Sequence, residues 1–339
     1  MMHPIEIDEF LELSQQLTVL DVRSEKEFAE GHFPGAVNIP MLNDEERKLV
    51  GTIYKHNGRQ PAVYKGLELT GPHLVDRLRK GVKYARNGKV LVHCWRGGMR
   101  SEFFAFLLHY YGIEPIVLNG GYKAYRTAVH ASFDKLLDVK IIAGKSGAGK
   151  TEIMKELRTL GEQVIDLEDL AKHRGSSFGG LGFEMKVSQE QFENHLFAAF
   201  KEIDPRRPVW IEDENRTIGD KVLPDGIWKQ MLQAPRFLVE RTFEERLDKI
   251  VRDYGIFPTA DLKAAMTRIG KRLGPQHVKA ALEMLDEGLL REAFALALGY
   301  YDKAYLHQLS SIEKERVHSI QGEGISYQEI ALKLREALQ

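Results

Sequence analysis

The feature that most restricts this chain is Gly144-Lys145-Ser146-Gly147-Ala148-Gly149-Lys150-Thr151. It matches G-x-x-x-x-G-K-[ST] in full, after the apolar run Val139-Lys140-Ile141-Ile142-Ala143 and before a stretch of helical period from Glu152 to Leu160. A strand, a glycine loop and a helix in that order bind a diphosphate. Backbone amides from Gly147 to Thr151 would surround it, Lys150 would neutralise its terminal charge, and the Thr151 hydroxyl would bind Mg²⁺. The diphosphate-binding candidates are therefore Gly144, Gly147, Gly149, Lys150 and Thr151; a purely structural glycine turn is the alternative that the flanking strand and helix oppose. What carries the diphosphate is left open.

Two series of short apolar runs alternate with segments of helical period, the pattern of α/β domains with mostly parallel sheets. The first has strands at 18–20, 36–39, 89–93 and 116–118, a short helix from Ser24 to Glu30 with Ser24 as N-cap, and a helix from Ser101 to Tyr111. The second has strands at 139–143, 163–165, 209–211 and 237–239 and is helical from Arg241 onward, with a helical connector at 127–138 between the two series. Two domains are expected, 1–130 and 139–339, which agrees with a length of 339 residues at about 150 per domain. The segment 41–88 is long for a connection and should carry helices and a specialised surface of its own.

The one cysteine, Cys94, follows the 89–93 strand and precedes Trp95-Arg96-Gly97-Gly98-Met99-Arg100-Ser101. Loop amides, the positive end of the next helix and nearby arginines all favour thiolate, the nucleophilic form, and the same loop would cradle an anion. A buried core cysteine is the plainer alternative, which the strand-end position opposes. Two chemistries use such a loop. The spacing His93-Cys94-x5-Arg100-Ser101 fits cysteine-dependent phosphatases, with Arg100 clamping phosphate, and it also resembles the active loop of rhodaneses, in which cysteine carries transferable sulfur or selenium. Leu20 to Phe28, Gly31 to Pro40 and Asn119-Gly120-Gly121-Tyr122-Lys123-Ala124-Tyr125 resemble rhodanese signatures and favour the second reading. Asp21 and Arg23 read as a structural ion pair.

Three acids, Glu212-Asp213-Glu214, end the 209–211 strand, where P-loop proteins place the carboxylate that orients metal or its water; Asp213 is the preferred candidate. Between Arg174 and Phe183, four glycines interleave with Arg, Ser and Phe, equally a closing loop over a ligand or an ordinary surface loop. From 241 to 280 there are nine Lys or Arg against five acids, a candidate phosphate-backbone footprint or a solvated helix face.

Composition removes other classes. A net charge of −1 excludes a globally basic nucleic-acid binder, one cysteine cannot form an intrachain bridge and points to a reducing compartment, and no apolar run approaches the ~18 residues of a membrane span. A cytoplasmic protein without membrane association or prosthetic group is expected.

A rhodanese-like domain bearing Cys-Trp-Arg-Gly-Gly-Met-Arg-Ser, fused to a P-loop domain bearing Gly-Lys-Ser-Gly-Ala-Gly-Lys-Thr, resembles the bacterial tRNA 2-selenouridine synthase family. The likeness extends to Val50-Gly51-Thr52-Ile53-Tyr54-Lys55, the loop 173–179 and Glu212 to Gly219. It implies a tRNA-modifying transferase that exchanges sulfur for selenium at C2 of wobble 2-thiouridine in Lys, Glu and Gln tRNAs. Selenophosphate would be the donor, with its supplying enzyme as a partner. It also implies S-geranylation of the same base from geranyl diphosphate, the thioether then being displaced by selenium. In that light Cys94 would carry selenium as a selanyl sulfide, with Arg96 or Arg100 compensating charge. The P-loop would hold the prenyl diphosphate with Mg²⁺ on Thr151, and Phe178 and Phe183 would cover the prenyl chain. The competing expectations are a rhodanese-like phosphatase fused to a P-loop small-molecule kinase, with Asp225 as the only suggestive general acid, and a nucleotide-gated interaction module with an idle cysteine loop.

Overall fold

The computed structural model describes residues 4–175, 178–182, 187–310 and 312–338. They form two compact units, Met1–Ser132 with Glu193–Ala198, and Phe133–Phe192 with Ala199–Gln339. Each has its own parallel sheet, as the alternation of apolar runs and helices predicts. The short segment 193–198 groups with the first unit although it lies far beyond residue 130.

In the first unit, strands β1 (Val19–Asp21), β2 (Val37–Asn38), β3 (Lys89–His93) and β4 (Glu114–Val117) lie in the order β2-β1-β3-β4, all parallel. The central strand β3 is buried from Val90 to His93, as expected where helices cover both faces. Leu20, Val22, Val90 and Val92 pack with Phe104 and Leu108 of the helix Met99–Tyr111, which positions the loop between β3 and that helix. The helix expected at Ser24 begins at Glu25, with a capping box in which Ser24 and Glu27 satisfy each other's backbone amides. Segment 41–88 does carry helices of its own, Asp44–Asn57, Arg59–Thr70 and Leu74–Lys83.

Two expectations change. The connector at 127–138 is not one helix: Gly120 and Gly121, both at positive φ, turn the chain straight into the helix Gly121–Ser132, which ends before β5. Nor is the chain helical throughout after residue 241. The second sheet contains β5 (Val139–Ala143), β6 (Gln163–Ile165), β7 (Val209–Glu212), then, beyond a small antiparallel pair β8 (Thr217–Ile218) and β9 (Lys221–Val222), β10 (Arg236–Glu240) and β11 (Val317–Gln321). The order is β11-β10-β5-β7-β6, parallel throughout. Strand β11 is an edge strand without an apolar run, so its sequence gives no strand signal. Between β10 and β11 the chain inserts the helices Phe243–Tyr254, Thr259–Arg268, Pro275–Asp286 and Leu290–Leu309, which bury a core of their own around Leu262, Met266, Leu285 and Phe294. The last helix, Tyr327–Glu336, packs Ile330 and Leu334 with Ile153 and Leu157 of the P-loop helix Lys150–Thr159. No described helix is long and apolar enough to cross a membrane.

Candidate active sites

Cys94 lies at the end of β3, buried, in a loop that Gly121 presses from below. Gly121 has φ +59°, and a Cβ there would stand 2.4 Å from the Cys94 carbonyl oxygen and 2.4 Å from the Gly97 nitrogen. The amides of Tyr122 and Lys123 donate to the carbonyls of Cys94 and Trp95, at 2.8 and 2.9 Å. With those carbonyls tied back, the amides of Arg96, Gly97 and Gly98 meet no protein acceptor among the described residues, the condition for an anion cradle. Ser101 in the first turn of the following helix brings its hydroxyl 3.2 Å from Cys94 Sγ and 3.0 Å from the Gly98 carbonyl. A hydroxyl there can donate to a thiolate, a contribution that the sequence reading did not assign to Ser101.

The two arginines of the loop differ. Arg96 is exposed, whereas Arg100 donates to Glu27 at 2.6 Å. Burial pushes the Glu27 carboxyl up, but Arg100 and the Ser24 amide outweigh it, so Glu27 stays ionised as a counter-ion to Arg100. A phosphate clamp would have to displace that carboxylate, which weakens the phosphatase alternative. Its general acid fares no better, since Asp225 sits exposed on the helix Asp225–Gln233 and pairs with Arg216.

Beneath the loop, Asp21 and Arg23 do form an ion pair, at 2.6 Å with neither side chain exposed, and the Arg23 guanidinium lies 3.7 Å from the centre of the Tyr122 ring. Burial raises the Asp21 carboxyl, yet His93 and the forked Arg23 contacts outweigh it and hold the group below the ordinary carboxylate range. Fully buried His93 is itself pushed down by desolvation, so Arg23 is the lasting counter-charge.

In the second unit, Gly147 and Gly149 take the positive φ values of a P-loop, +81° and +87°. The loop is held from outside. Arg246 donates to the Ser146 carbonyl at 3.1 Å and is fixed by Asp302, while Gly144 N–H donates to the Tyr305 hydroxyl, which donates in turn to Asp213 at 3.0 Å. Among the described residues the amides of Gly147, Gly149, Lys150 and Thr151 meet no protein acceptor, which leaves them for a ligand's oxygens.

Three carboxylates crowd half-buried Lys150. Glu168, Glu212 and Glu214 bring ligand atoms within 4.8 Å of one another, and Oε2 of fully buried Glu212 has no hydrogen-bond partner among the described residues. Burial pulls the Lys150 amine down, but Glu214, Glu168 and Glu212 outweigh it and keep it charged. The acids move the other way: burial and the charge of Glu214 push Glu168 up to about 8, and Glu212 and Glu214 also rise, burial being the first cause for each. Asp213, preferred from sequence, points elsewhere: it accepts from Tyr305 and lies 3.6 Å from Arg236. Glu168 was missed because it follows β6, forty-four residues before Glu212; the helix cap Asp166 and a bond from the Glu168 amide to Glu212 at 2.9 Å bring it in. Hard carboxylate oxygens with an unsatisfied member fit a Mg²⁺ ion. Glu168, Glu212, Glu214 and Thr151 are the residues that would hold one; bound there, the ion would neutralise charge on a diphosphate.

The P-loop and these acids line a cleft of about 950 Å³ whose lining also includes Phe178, Tyr254, Ile256, Ile269, Phe294 and Leu298 together with Arg174 and Asp253. Phe178 thus borders the same cleft as the P-loop, whereas Phe183 lies outside the described residues. The basic run 241–280 is largely engaged: Arg241, Arg246, Lys249 and Lys263 pair with Glu245, Asp302, Glu152 and Asp286, and Arg252 and Arg268 line the cleft.

Fold and loops together define a two-domain protein that joins a rhodanese-like cysteine loop to a P-loop domain with a helical insertion. Residues 6–128 match the rhodanese-like domain family, and residues 137–336 match the family described as tRNA 2-selenouridine synthase AAA domain. Curated proteins named tRNA 2-selenouridine synthase are similar over most of the chain. The one from Cronobacter sakazakii is 35% identical, covering 88% of this chain and 88% of its own length; that from Pseudomonas fluorescens is 32% identical, covering 86% and 88%. The one from Marinobacter nauticus is 32% identical over 91% and 93%. The chain belongs to the tRNA 2-selenouridine synthase family.

Proposed function

We propose that the protein converts 2-thiouridine at the wobble position of tRNA to 2-selenouridine in two steps, S-geranylation at the P-loop cleft and selenation by way of Cys94. The observation that carries this reading is the composition of the cleft, whose lining joins P-loop amides, a lysine and carboxylates to aromatic and aliphatic side chains. A prenyl diphosphate needs both kinds of lining. In the first step the thiocarbonyl sulfur bonds to C1 of the geranyl group, the C1–O bond breaks, pyrophosphate leaves, and the base loses its N3 proton. In the second, the selenium of selenophosphate, already at the selenide level, adds at C2 and geranylthiol departs, a better leaving group than sulfide; water then breaks the Se–P bond and phosphate leaves. Lys150 and the P-loop amides hold the diphosphate, Thr151 and the glutamates hold Mg²⁺, and Phe178 covers the chain. The Cys94 loop holds the selenophosphate: the amides of Arg96 to Gly98 and the positive charges of Arg96 and Arg100 serve its phosphate, and the Cys94 thiol with the Ser101 hydroxyl beside it positions the selenium.

Nucleoside mass spectrometry on 2-thiouridine-containing tRNA tests it, with geranyl diphosphate and Mg²⁺ added first and selenophosphate afterwards. Lys150→Ala should lower the geranyl product at least a hundredfold, and Cys94→Ser should spare it while abolishing the selenium product. Phe178→Ala should raise the KM for geranyl diphosphate about tenfold, the loss expected on removing part of a buried aromatic contact. TRNA unchanged by the parent protein under every condition would discard the reading.

A further inference from the structure

The helices of the first unit's excursion bury little. Asp44–Asn57 buries no residue and Arg59–Thr70 buries only Ala62 and Thr70, although both are amply long to present an apolar face. Isolated helices of that length are marginal in water. Their large side chains stand in solvent, Tyr64 at 78% exposure and Tyr54 at 52%. The charge is equally lopsided. From Asp44 to Lys83 there are nine Lys or Arg against five acids, an excess of four in a chain of net charge −1, and three of the acids, Asp44, Glu45 and Glu46, lie together in the first turn of Asp44–Asn57. The other two, Glu68 and Asp76, are already paired with Lys65 and Arg79. Lys48, Lys55, Arg59, Lys80 and Lys83 are exposed and have no carboxylate partner among the described residues.

The cations gather on the helices' solvent side. Lys48 and Lys55 lie two turns apart on one face of Asp44–Asn57, and Lys80 and Lys83 stand together in the last turn of Leu74–Lys83. Unpaired cations beside exposed tyrosines complement a chain of phosphates carrying flat, stackable bases. A protein partner fits less well, because lysine is depleted from protein interfaces. The basic run of the second unit, by contrast, is largely paired internally or turned into the cleft.

We propose that the helical excursion from Asp44 to Lys83 is the tRNA-docking surface, its lysines and Arg59 neutralising phosphates and Tyr54 and Tyr64 stacking on unpaired bases. This rests on the functional reading above, in which tRNA is the substrate.

The test measures binding of 2-thiouridine-containing tRNA to the full chain over a salt series. One variant combines Lys48→Gln, Lys55→Gln, Arg59→Gln, Lys80→Gln and Lys83→Gln; a comparison variant combines Lys135→Gln, Lys201→Gln, Lys229→Gln, Lys279→Gln and Lys314→Gln, exposed lysines elsewhere. The first should raise Kd more than tenfold and reduce the slope of log Kd against log salt by about four, since each lost phosphate contact removes about 0.7–0.9. The comparison variant should change neither. Tyr54→Ala and Tyr64→Ala should each raise Kd about tenfold with the slope unchanged. Hydrogen exchange on peptides of the first unit's sheet reports whether each variant is folded; should the five-fold variant fail there, the two tyrosine variants and Lys80→Gln alone decide. Parent-like tRNA binding by the excursion variants overturns the docking surface and leaves the function standing. Failure of the parent protein to hold tRNA overturns the functional reading and removes RNA as the occupant.

Discussion

The cysteine loop and the P-loop are built alike and charged oppositely. Each follows a central parallel strand, leads into a helix and leaves a row of amides without protein acceptors. Around Cys94 the buried charge is a permanent cation, Arg23, answered by Asp21. Around the P-loop the cation is a lysine answered by three carboxylates that can take up protons. One loop therefore has a fixed charge balance and the other an adjustable one, which suits a loop that must receive and release a highly charged ligand.

Removing one counter-charge from each site breaks the comparison most strongly. Asp21→Asn leaves a buried guanidinium that cannot lose its proton, so the first unit should lose about 3–5 kcal/mol. Lys150→Met should cost the second unit clearly less, because Glu168, Glu212 and Glu214 can protonate in response. Hydrogen exchange read separately on peptides of each unit measures both; equal losses would contradict the distinction.

The dependence on pH should have opposite signs. Asp21 has its folded pKa below the unfolded value, so its contribution is complete above the unfolded pKa near 3.8 and disappears as pH falls through the folded one. Glu168 is raised from 4.5 to about 8, so its contribution is complete below pH 4.5 and disappears as pH rises through 8. Between those limits the second unit should lose on the order of 5 kcal/mol, and Glu168→Gln should flatten that loss.

Two glycines give the smallest contrast. Gly121→Ala places a Cβ against backbone atoms of the cysteine loop, 2.4 Å away, which cannot move without dismantling it. Gly149→Ala, also at positive φ, meets the Tyr327 ring, 2.2 Å away, a side chain rather than backbone but one packed under Arg241. Thermal unfolding should show a cost of about 3 kcal/mol for the first and about 2 kcal/mol for the second.

Both loops and their flanking strands could be read in sequence because they depend on local order: apolar run, glycines, helix. So could the pairing of Asp21 with Arg23, two residues apart on a strand end. The carboxylate set was readable only in part. Glu212 and Glu214 stand in a visible acidic run, but Asp213 between them, whose side chain turns to Arg236 and Tyr305, was the residue preferred. Glu168 and Tyr305 reach the site through tertiary packing that no local pattern records. The same holds for β11, whose partner β10 lies across the inserted helices, and for the excursion 41–88, where sequence announces helices and withholds how little they bury.

That long insertion between two paired strands has a consequence for the newborn chain. Residues that brace the P-loop, Arg246, Asp302, Tyr305 and Tyr327, are translated roughly one hundred to one hundred and eighty residues after it. The first unit's four strands and its cysteine loop are complete in sequence before the P-loop has been made. On the ribosome, the first unit's sheet can thus form early but waits for 193–198, where Asn194 donates to the His32 carbonyl and the Tyr122 hydroxyl, while the P-loop waits for the last helix, so the two loops gain their full support at different points of synthesis.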